Sequence, residues 1–357
     1  ASAGRLALRV ARAALFLKHP IGYLNGLAAT MASPDFTRGR LHQSLLLAHR
    51  VARLGSPPIY IHFAHKPATI GRFAALLAGV PYALSAHAKD IWLTPQQELA
   101  RKVRDASVVL TCTSDGRDLL DGLGRGRTPV RLAYHGVDLT RPPRAHSDRH
   151  VPLVLAVGRL VEKKGYPTLL RAAAQLRARG LQFRLRIAGD GPEWPLLQRL
   201  VHELGLDETV SFLGPLTELE VRSEYDRADI FALACRELEN GDRDGIPNVV
   251  LEAMAHGLPV VSTIGSGVGE AVVDGRSGFL APQDDHEALA DAVAQLLADR
   301  ELRAAMGTEA RVQVETKFDR DANLPAVVDA LVGAGIIHLP SAAAGGSDEE
   351  RSLRAVA

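Results

Sequence analysis

From about residue 59 onwards, short apolar β-rich runs alternate with longer stretches whose apolar residues recur every three to four positions. No other feature restricts the fold of this chain as much. The strand candidates are 59–63, 82–85, 108–111, 130–134, 153–157, 184–188, 210–212, 230–232 and 259–262. Between them lie helices such as 167–179, with Leu169, Leu170, Ala173 and Leu176 on one face and Gly180 as a stop, and 192–204, closed by Gly205. Strands alternating with helices of this length imply parallel sheets covered on both faces. The expected class is α/β.

A chain of 357 residues has room for two domains of ordinary size, each with its own core. Its hydrophobic content of 46% and charged content of 23% are those of a globular chain rather than a disordered or fibrous one. No run of about 18 apolar residues occurs, so no spanning helix is expected. The alternation breaks at Pro142-Pro143 and the polar stretch through His150, which reads as an interdomain linker. The expected boundaries are 1–148 for an N-terminal domain, 149–335 for a C-terminal domain and 336–357 for a disordered tail, small, polar and charged from Ser341 on. Cys112 and Cys235 are too few and too far apart for a disulfide framework or a zinc site. Their apolar surroundings suit buried free thiols, which fit a reducing cytoplasm.

Three segments of the second half place polar groups at the carboxyl ends of strands, where open α/β sheets bind ligands. Strand 153–157 runs into Gly158-Arg159-Leu160-Val161-Glu162-Lys163-Lys164-Gly165. Arg159 can fork onto phosphate oxygens and Lys164 can act as a mobile point charge. Strand 184–188 ends in Gly189-Asp190-Gly191-Pro192-Glu193, which turn chemistry explains without a ligand. In the third segment, Asp244 and Glu252 stand eight residues apart, with Gly245-Ile246-Pro247-Asn248 and a short helix between and after them. The turn's free N–H groups and the helix dipole make an anion site. Glu252, about one turn inside, would be held beside it, where a carboxylate can accept two hydrogen bonds from a ribose diol. Alone, Glu252 is better read as an acid favoured by the helix dipole; Arg159, Lys164 and the turn together favour a ligand site.

The segments AVGRLVEKKGYPTLL, RIAGDGPE, VSFLGPL, DGIPNVVLEAMAHGLPVVST and VVDGRSGFLAP occur in that order. Over the span from Leu153 to about Phe318 they resemble the retaining GT-B glycosyltransferases of the large family 4 type, the glycosyl transferases group 1. The resemblance implies two Rossmann-like domains facing a cleft, with a nucleoside-diphosphate sugar held mainly by the C-terminal one. It implies that Arg159 and Lys164 clamp the diphosphate, Glu252 binds ribose and Asp244 contacts the donor sugar. The backbone of Gly245, Ile246, Pro247, Asn248 and Val249 would meet phosphate or sugar oxygens, and the loop around Phe212-Leu213-Gly214 would lie by the base. Two departures stand out: Asp244 where the family usually has a glutamate, and Gly267-Val268-Gly269-Glu270 where it often has Gly-x-Pro-Glu. Asp242-Arg243-Asp244 imitates a metal motif, but Asp319-Arg320-Asp321 repeats the pattern elsewhere. No metal or other cofactor is expected, because the fold uses Arg, Lys and a helix dipole in its place.

In the first half, two apolar runs end in His plus Lys: His62 to Lys66, and Ser85-Ala86-His87-Ala88-Lys89-Asp90. The second is similar to a Thr-x-His-x-x-Asp segment of the family, by which His87 points at the donor sugar and leaving phosphate. His62 and Lys89 are candidates for the acceptor side. Thr111-Cys112-Thr113-Ser114 and Tyr134-His135-Gly136-Val137-Asp138 match the family's last two strand ends in this domain, with His135 read as structural. Nothing in residues 1–58 resembles the family's opening strand and glycine-rich loop. The N-terminal domain is therefore expected to be incomplete, through truncation, a gene-model error or a partner chain that supplies the rest.

Residues 1–89 hold eleven Lys/Arg against one acid, Asp35, although the whole chain is nearly neutral at +1. Such a region either attracts an anionic partner or is Arg-rich solvated surface. The patch by itself suits membrane lipid, nucleic acid or a phosphorylated substrate; residues 5–18 read as a basic amphipathic helix, and the partner expected is an anionic membrane surface, not nucleic acid. The expected location is cytoplasmic, peripheral on the inner membrane face. The expected activity is metal-independent transfer of a sugar, with retention, from a nucleoside-diphosphate sugar to a glycan, lipid-linked or small-molecule acceptor. The rivals are a catalytically silent donor-binding or scaffold subunit and a GT-B-fold nucleotide-sugar epimerase.

Overall fold

The computed structural model describes residues 2–140 and 150–339. Most of the expected linker and the part of the expected tail from residue 340 on lie outside the described residues.

The chain opens with three helices, α1 (Ser2–Lys18), α2 (Pro20–Met31) and α3 (Arg38–Arg53). A strand–helix series follows: β1 (Ile59–His62), α4 (Lys66–Ala78), β2 (Tyr82–Ala86), α5 (Lys89–Trp92), α6 (Gln96–Asp105), β3 (Val108–Thr111), α7 (Ser114–Gly124) and β4 (Val130–Leu132). The four strands form one parallel sheet in the order β1-β2-β3-β4. One face carries Ile61, Leu84 and Val109, packed with Leu99, Val103 and Leu120 of the flanking helices. Helices α1 to α3 form a further layer: Leu15, Leu41, Leu45 and Ala48 close on Ala74 and Leu77 of α4. Residues 2–58 contain helices and no strand, in keeping with the absence of an opening strand signal there.

The second unit runs β5 (Leu153–Val157), a short 3₁₀ turn (Glu162–Lys164), α8 (Tyr166–Ala178), β6 (Arg184–Ala188), α9 (Trp194–Glu203), β7 (Val210–Gly214), α10 (Glu218–Arg227) and β8 (Ile230–Leu233). It continues with α11 (Asn248–Ala255), β9 (Val260–Thr263), α12 (Val268–Ala271), β10 (Gly278–Ala281), α13 (His286–Ala298), α14 (Arg300–Lys317) and α15 (Arg320–Gly333). Six parallel strands lie in the order β10-β9-β8-β5-β6-β7. The near-continuous apolar runs of β5 and β8 are buried throughout, as central parallel strands require.

All nine expected strands are present, with ends shifted by a residue or two. Strand β10 was not expected, since Gly278 and Phe279 after a turn give little periodic signal, yet it pairs with β9 along its whole length. The last strand of the first sheet ends at Leu132 rather than 134, and the chain then leaves the sheet edge.

The two units are joined by more than the connection at 141–149. Val137 forms a β-bridge with Asp319, and Arg311 donates to the Leu139 carbonyl at 3.2 Å. Beyond that bridge α15 crosses to the first unit, where Leu331 packs on Ala83, Val108 and Leu110 of the sheet's other face. Ile336, only 6% exposed, belongs to the same cluster. The expectation of a loose tail from 336 on is therefore corrected at this residue: its apolar side chain covers sheet surface that would otherwise face water.

Candidate functional site

A cleft of about 520 Å³ opens between the two units. Its walls include Val137 from the first unit and Tyr225, Asn248, Val249, Glu252 and His256 from the second. Helix α11 begins at Asn248 with Pro247 as its cap and no side-chain cap. Its first backbone N–H groups and the positive end of its dipole are therefore available to an anion. Glu252 lies one turn along, and its Oε2 accepts a hydrogen bond from the Tyr225 hydroxyl at 3.0 Å. Tyr225 is buried. Burial first, and the Glu252 carboxylate second, push its pKa well above the ordinary tyrosine range, so it stays a donor and fixes the carboxylate in place.

Next to the cleft, at the ends of β5 and β8, four charged groups interlock. Lys164 pairs with Asp244 at 2.7 Å, while Lys163 pairs with Asp244 at 3.2 Å and with Asp242 at 3.0 Å. Gly165 makes this possible. Its φ is +64°, and a Cβ there would lie 1.8 Å from the Ala234 carbonyl oxygen, so only glycine lets the lysine turn approach β8. Burial alone would raise the Asp244 pKa, but Lys164 and then Lys163 outweigh it and hold the carboxyl below the usual range. Each Asp of the imitation metal motif thus already faces an ammonium group. Arg243 between them lies 3.6 Å above the Trp92 ring and pairs with Glu237. The other imitation, at Asp319, is a helix cap that accepts from the Asp321 N–H at 2.8 Å.

The remaining candidates of the second unit sit on neighbouring turns. Arg159 is exposed directly after β5, and Gly214 ends β7 at positive φ. Gly189 donates its N–H to the Gly214 carbonyl at 2.9 Å and Asp190 accepts from Leu160 at 2.9 Å, so the Gly-Asp-Gly turn ties three strand ends together. Ile246 packs on the core of the second unit.

On the first unit a smaller cavity of about 170 Å³ lies at the carboxyl ends of the strands. His62, His87 and His135 line it together with Tyr60, Ser85 and Tyr134. His87 is oriented by Ser85, whose hydroxyl is 2.8 Å from Nε2, and its main-chain N–H donates to Asp90 at 3.1 Å. Asp90 also accepts from the Ala64 N–H, which explains why an Asp three residues after the His matters: it joins the ends of β1 and β2. Burial first, then His135 and His62, push the His87 pKa down to about 4, so the ring is neutral near pH 7. Lys89 is exposed at the start of α5 and does not line this cavity. His135, read as structural from sequence, stands 4.8 Å from His87 between ring centroids.

One contributor had no functional reading in sequence. Glu270 accepts from the Ser114 N–H at 2.8 Å, from the Ser114 hydroxyl at 2.7 Å and from the Tyr134 hydroxyl at 2.7 Å. A carboxylate of the second unit thereby caps the N-terminus of α7 in the first, favoured by the helix dipole. Only the unusual segment at 267–270 hinted that something differed here.

This two-unit arrangement around a cleft is shared with solved structures. Sucrose-phosphate synthase from Thermosynechococcus elongatus superposes with a TM-score of 0.70 at 22% identity, over 85% of this chain and 82% of that one. HepE of Anabaena in complex with UDP and glucose does so with a TM-score of 0.69 at 23% identity, over 81% of each chain. At these identities the likeness concerns the fold, which is GT-B. The model of the family "Glycosyl transferases group 1" matches residues 142–313. The putative colanic acid biosynthesis glycosyltransferase WcaL of Salmonella typhimurium is 31% identical over 309 residues, 83% of this chain and 76% of the relative. The chain belongs to the group 1 glycosyl transferases. A GDP-mannose-dependent alpha-(1-6)-phosphatidylinositol monomannoside mannosyltransferase of Mycolicibacterium smegmatis is 40% identical over 161 residues, 45% of this chain and 42% of that protein.

Proposed function

We propose that this transferase moves a sugar from a nucleoside-diphosphate sugar to a glycan, lipid-linked or small-molecule acceptor, with retention of configuration and without a metal ion. The observation that carries the reading is the junction of Glu252, pinned by Tyr225, with the open start of α11 in a cleft of about 520 Å³. Glu252 takes the ribose diol and the first turn of α11 takes phosphate. Arg159 and Lys164 add positive charge towards the departing diphosphate, which is where electrostatic stabilisation lowers the barrier. Asp244 is held by Lys163 and Lys164 at the position from which it meets the sugar. Neutral His87 faces the donor from the opposite unit. Retention follows when the acceptor attacks on the face from which the diphosphate leaves, with that phosphate taking the acceptor's proton. The UDP in HepE complexes and the GDP-mannose in the mycobacterial relative's name support a nucleotide-sugar donor and leave the base open.

The reading includes docking on an anionic membrane. Helix α1 presents Leu6, Val10 and Leu17 to solvent and α2 presents Ile21 and Leu24, while α1 carries Arg9, Arg12 and Lys18. No described helix is long and apolar enough to cross a membrane. The test of the activity is turnover of UDP- and GDP-sugars in the presence of candidate acceptors, with product anomers read by NMR. Nucleotide-sugar binding without hydrolysis or transfer would favour the silent scaffold, and interconversion of sugar epimers would favour the epimerase.

A further inference from the structure

The small cavity of the first unit holds a set of donors that the proposed transfer reaction does not use together. His87 follows β2, Cys112 follows β3 and His135 follows β4, and because those strands are neighbours their ends converge. One ligand atom from each residue lies within 4.8 Å of the other two. The Nδ1 atom of His87 is buried and has no hydrogen-bond partner, while its Nε2 is held by Ser85. An imidazole anchored through one nitrogen with the other left free is the arrangement found in metal-ligating histidines. Cys112 is buried, whereas His135 is exposed and offers a way in for an ion.

We propose that His87, Cys112 and His135 form a binding site for a borderline-soft transition-metal ion of the zinc class, and that its occupation switches sugar transfer off. Two imidazoles and one thiolate with an open fourth position suit zinc, and the absence of a carboxylate from the set disfavours magnesium and calcium. Tetrahedral bonds of about 2.0–2.1 Å to nitrogen and about 2.3 Å to sulfur place ligand atoms about 3.3–3.6 Å apart. The donors must therefore close by roughly 1 Å, a movement within reach of side-chain rotation at this bond geometry. Cys112 is a free, buried thiol. On binding, the S–H bond breaks, sulfur keeps the electron pair and donates it to the metal, and the proton passes to solvent.

The inhibitory part rests on the proposed function, because the metal takes a nitrogen of the histidine that faces the donor. A Cβ built on Gly245 would lie 3.7 Å from the Cys112 sulfur, so the ion would also sit under the loop that carries Asp244.

Cobalt(II) tests the site without reference to activity. The full chain, stripped with chelator, should develop a thiolate-to-cobalt charge-transfer band saturating at one equivalent. Cys112→Ser should remove the band and Cys235→Ser should keep it, since Cys235 lies in the other unit. His135→Gln, at an exposed position, should weaken cobalt and zinc binding at least tenfold. No band in the wild type, or one that survives Cys112→Ser, overturns the site. If the site is confirmed, zinc at saturating concentration should suppress transfer and chelator should restore it, with His135→Gln resisting. Full activity in the zinc-loaded protein overturns the switch and leaves the metal site and the donor-site reading each to their own measurements.

Discussion

Removing the carboxylate of Glu252 tests the donor site most directly, because the structure separates its effect on binding from its effect on folding. Glu252 accepts from Tyr225, whose hydroxyl also reaches the Val249 carbonyl at 3.2 Å. In Glu252→Ala the buried phenol therefore keeps an acceptor. The stability loss should stay near about 1 kcal/mol, the net worth of one ordinary hydrogen bond, rather than the larger cost of an orphaned donor. Binding has no such reserve. A hydrogen bond to a charged group is worth about 1.5–3 kcal/mol, so nucleotide affinity should fall roughly 10- to 150-fold. Tyr225→Phe keeps the charge but frees it to rotate, and should give a smaller loss of about 1 kcal/mol. Calorimetry with UDP, GDP and their sugars measures both variants, and thermal unfolding confirms that they fold. A folded Glu252→Ala protein that binds its nucleotide as tightly as the wild type would refute the ribose assignment, and with it the argument that Tyr225 is there to aim a carboxylate.

Three further outcomes are expected. Transfer should survive excess chelator, because Asp242 and Asp244 already face Lys163 and Lys164; loss of activity with EDTA and recovery with magnesium or manganese would make the Asp-x-Asp segment a real metal site. Asp244 is held below its ordinary pKa, so the stability it contributes is complete above about pH 4, the unfolded value, and is lost as pH falls through the folded one; Asp244→Asn should flatten the acid side of a stability-against-pH curve, and an unchanged slope would show the pair to be inert. Vesicle co-sedimentation should require anionic lipid, weaken steeply with salt, and drop when Arg9, Arg12 and Lys18 become Gln, each basic group near the surface being worth about 1 kcal/mol; equal binding to neutral and anionic vesicles would reduce the basic face to solvated surface.

The parts that sequence revealed are those written within one continuous segment. Asp244, the Gly-Ile-Pro-Asn turn and Glu252 fall within nine residues, and helix periodicity alone puts Glu252 a turn inside α11. The strands of both sheets except β10 were legible for the same reason, since an apolar run between turn signals is a local pattern. What sequence could not give was adjacency. Lys163 and Asp242 are 79 positions apart and meet because β5 and β8 are neighbours, an order that no local signal encodes. Helix α15 carries its own periodicity, but nothing in it says that Leu331 will cover the sheet of the other unit.

The first sheet is the instructive exception. Its strands lie side by side in chain order, and parallel strands deliver every carboxyl end to one edge. Residues that end or follow successive strands, His62, His87, Cys112 and His135, must then collect along that edge. His62 and His87 stand out singly as acceptor-side and donor-side candidates, His135 reads as structural, and Cys112 is set aside when sequence distance serves as the measure of spatial distance. In a parallel sheet the spacing that decides whether ligands can meet is the strand separation of roughly 4.8 Å, not the number of intervening residues. His87, Cys112 and His135 come from three adjacent strands and converge within that same spacing. The histidines and the thiol were thus visible as a set only once the order of the strands was known.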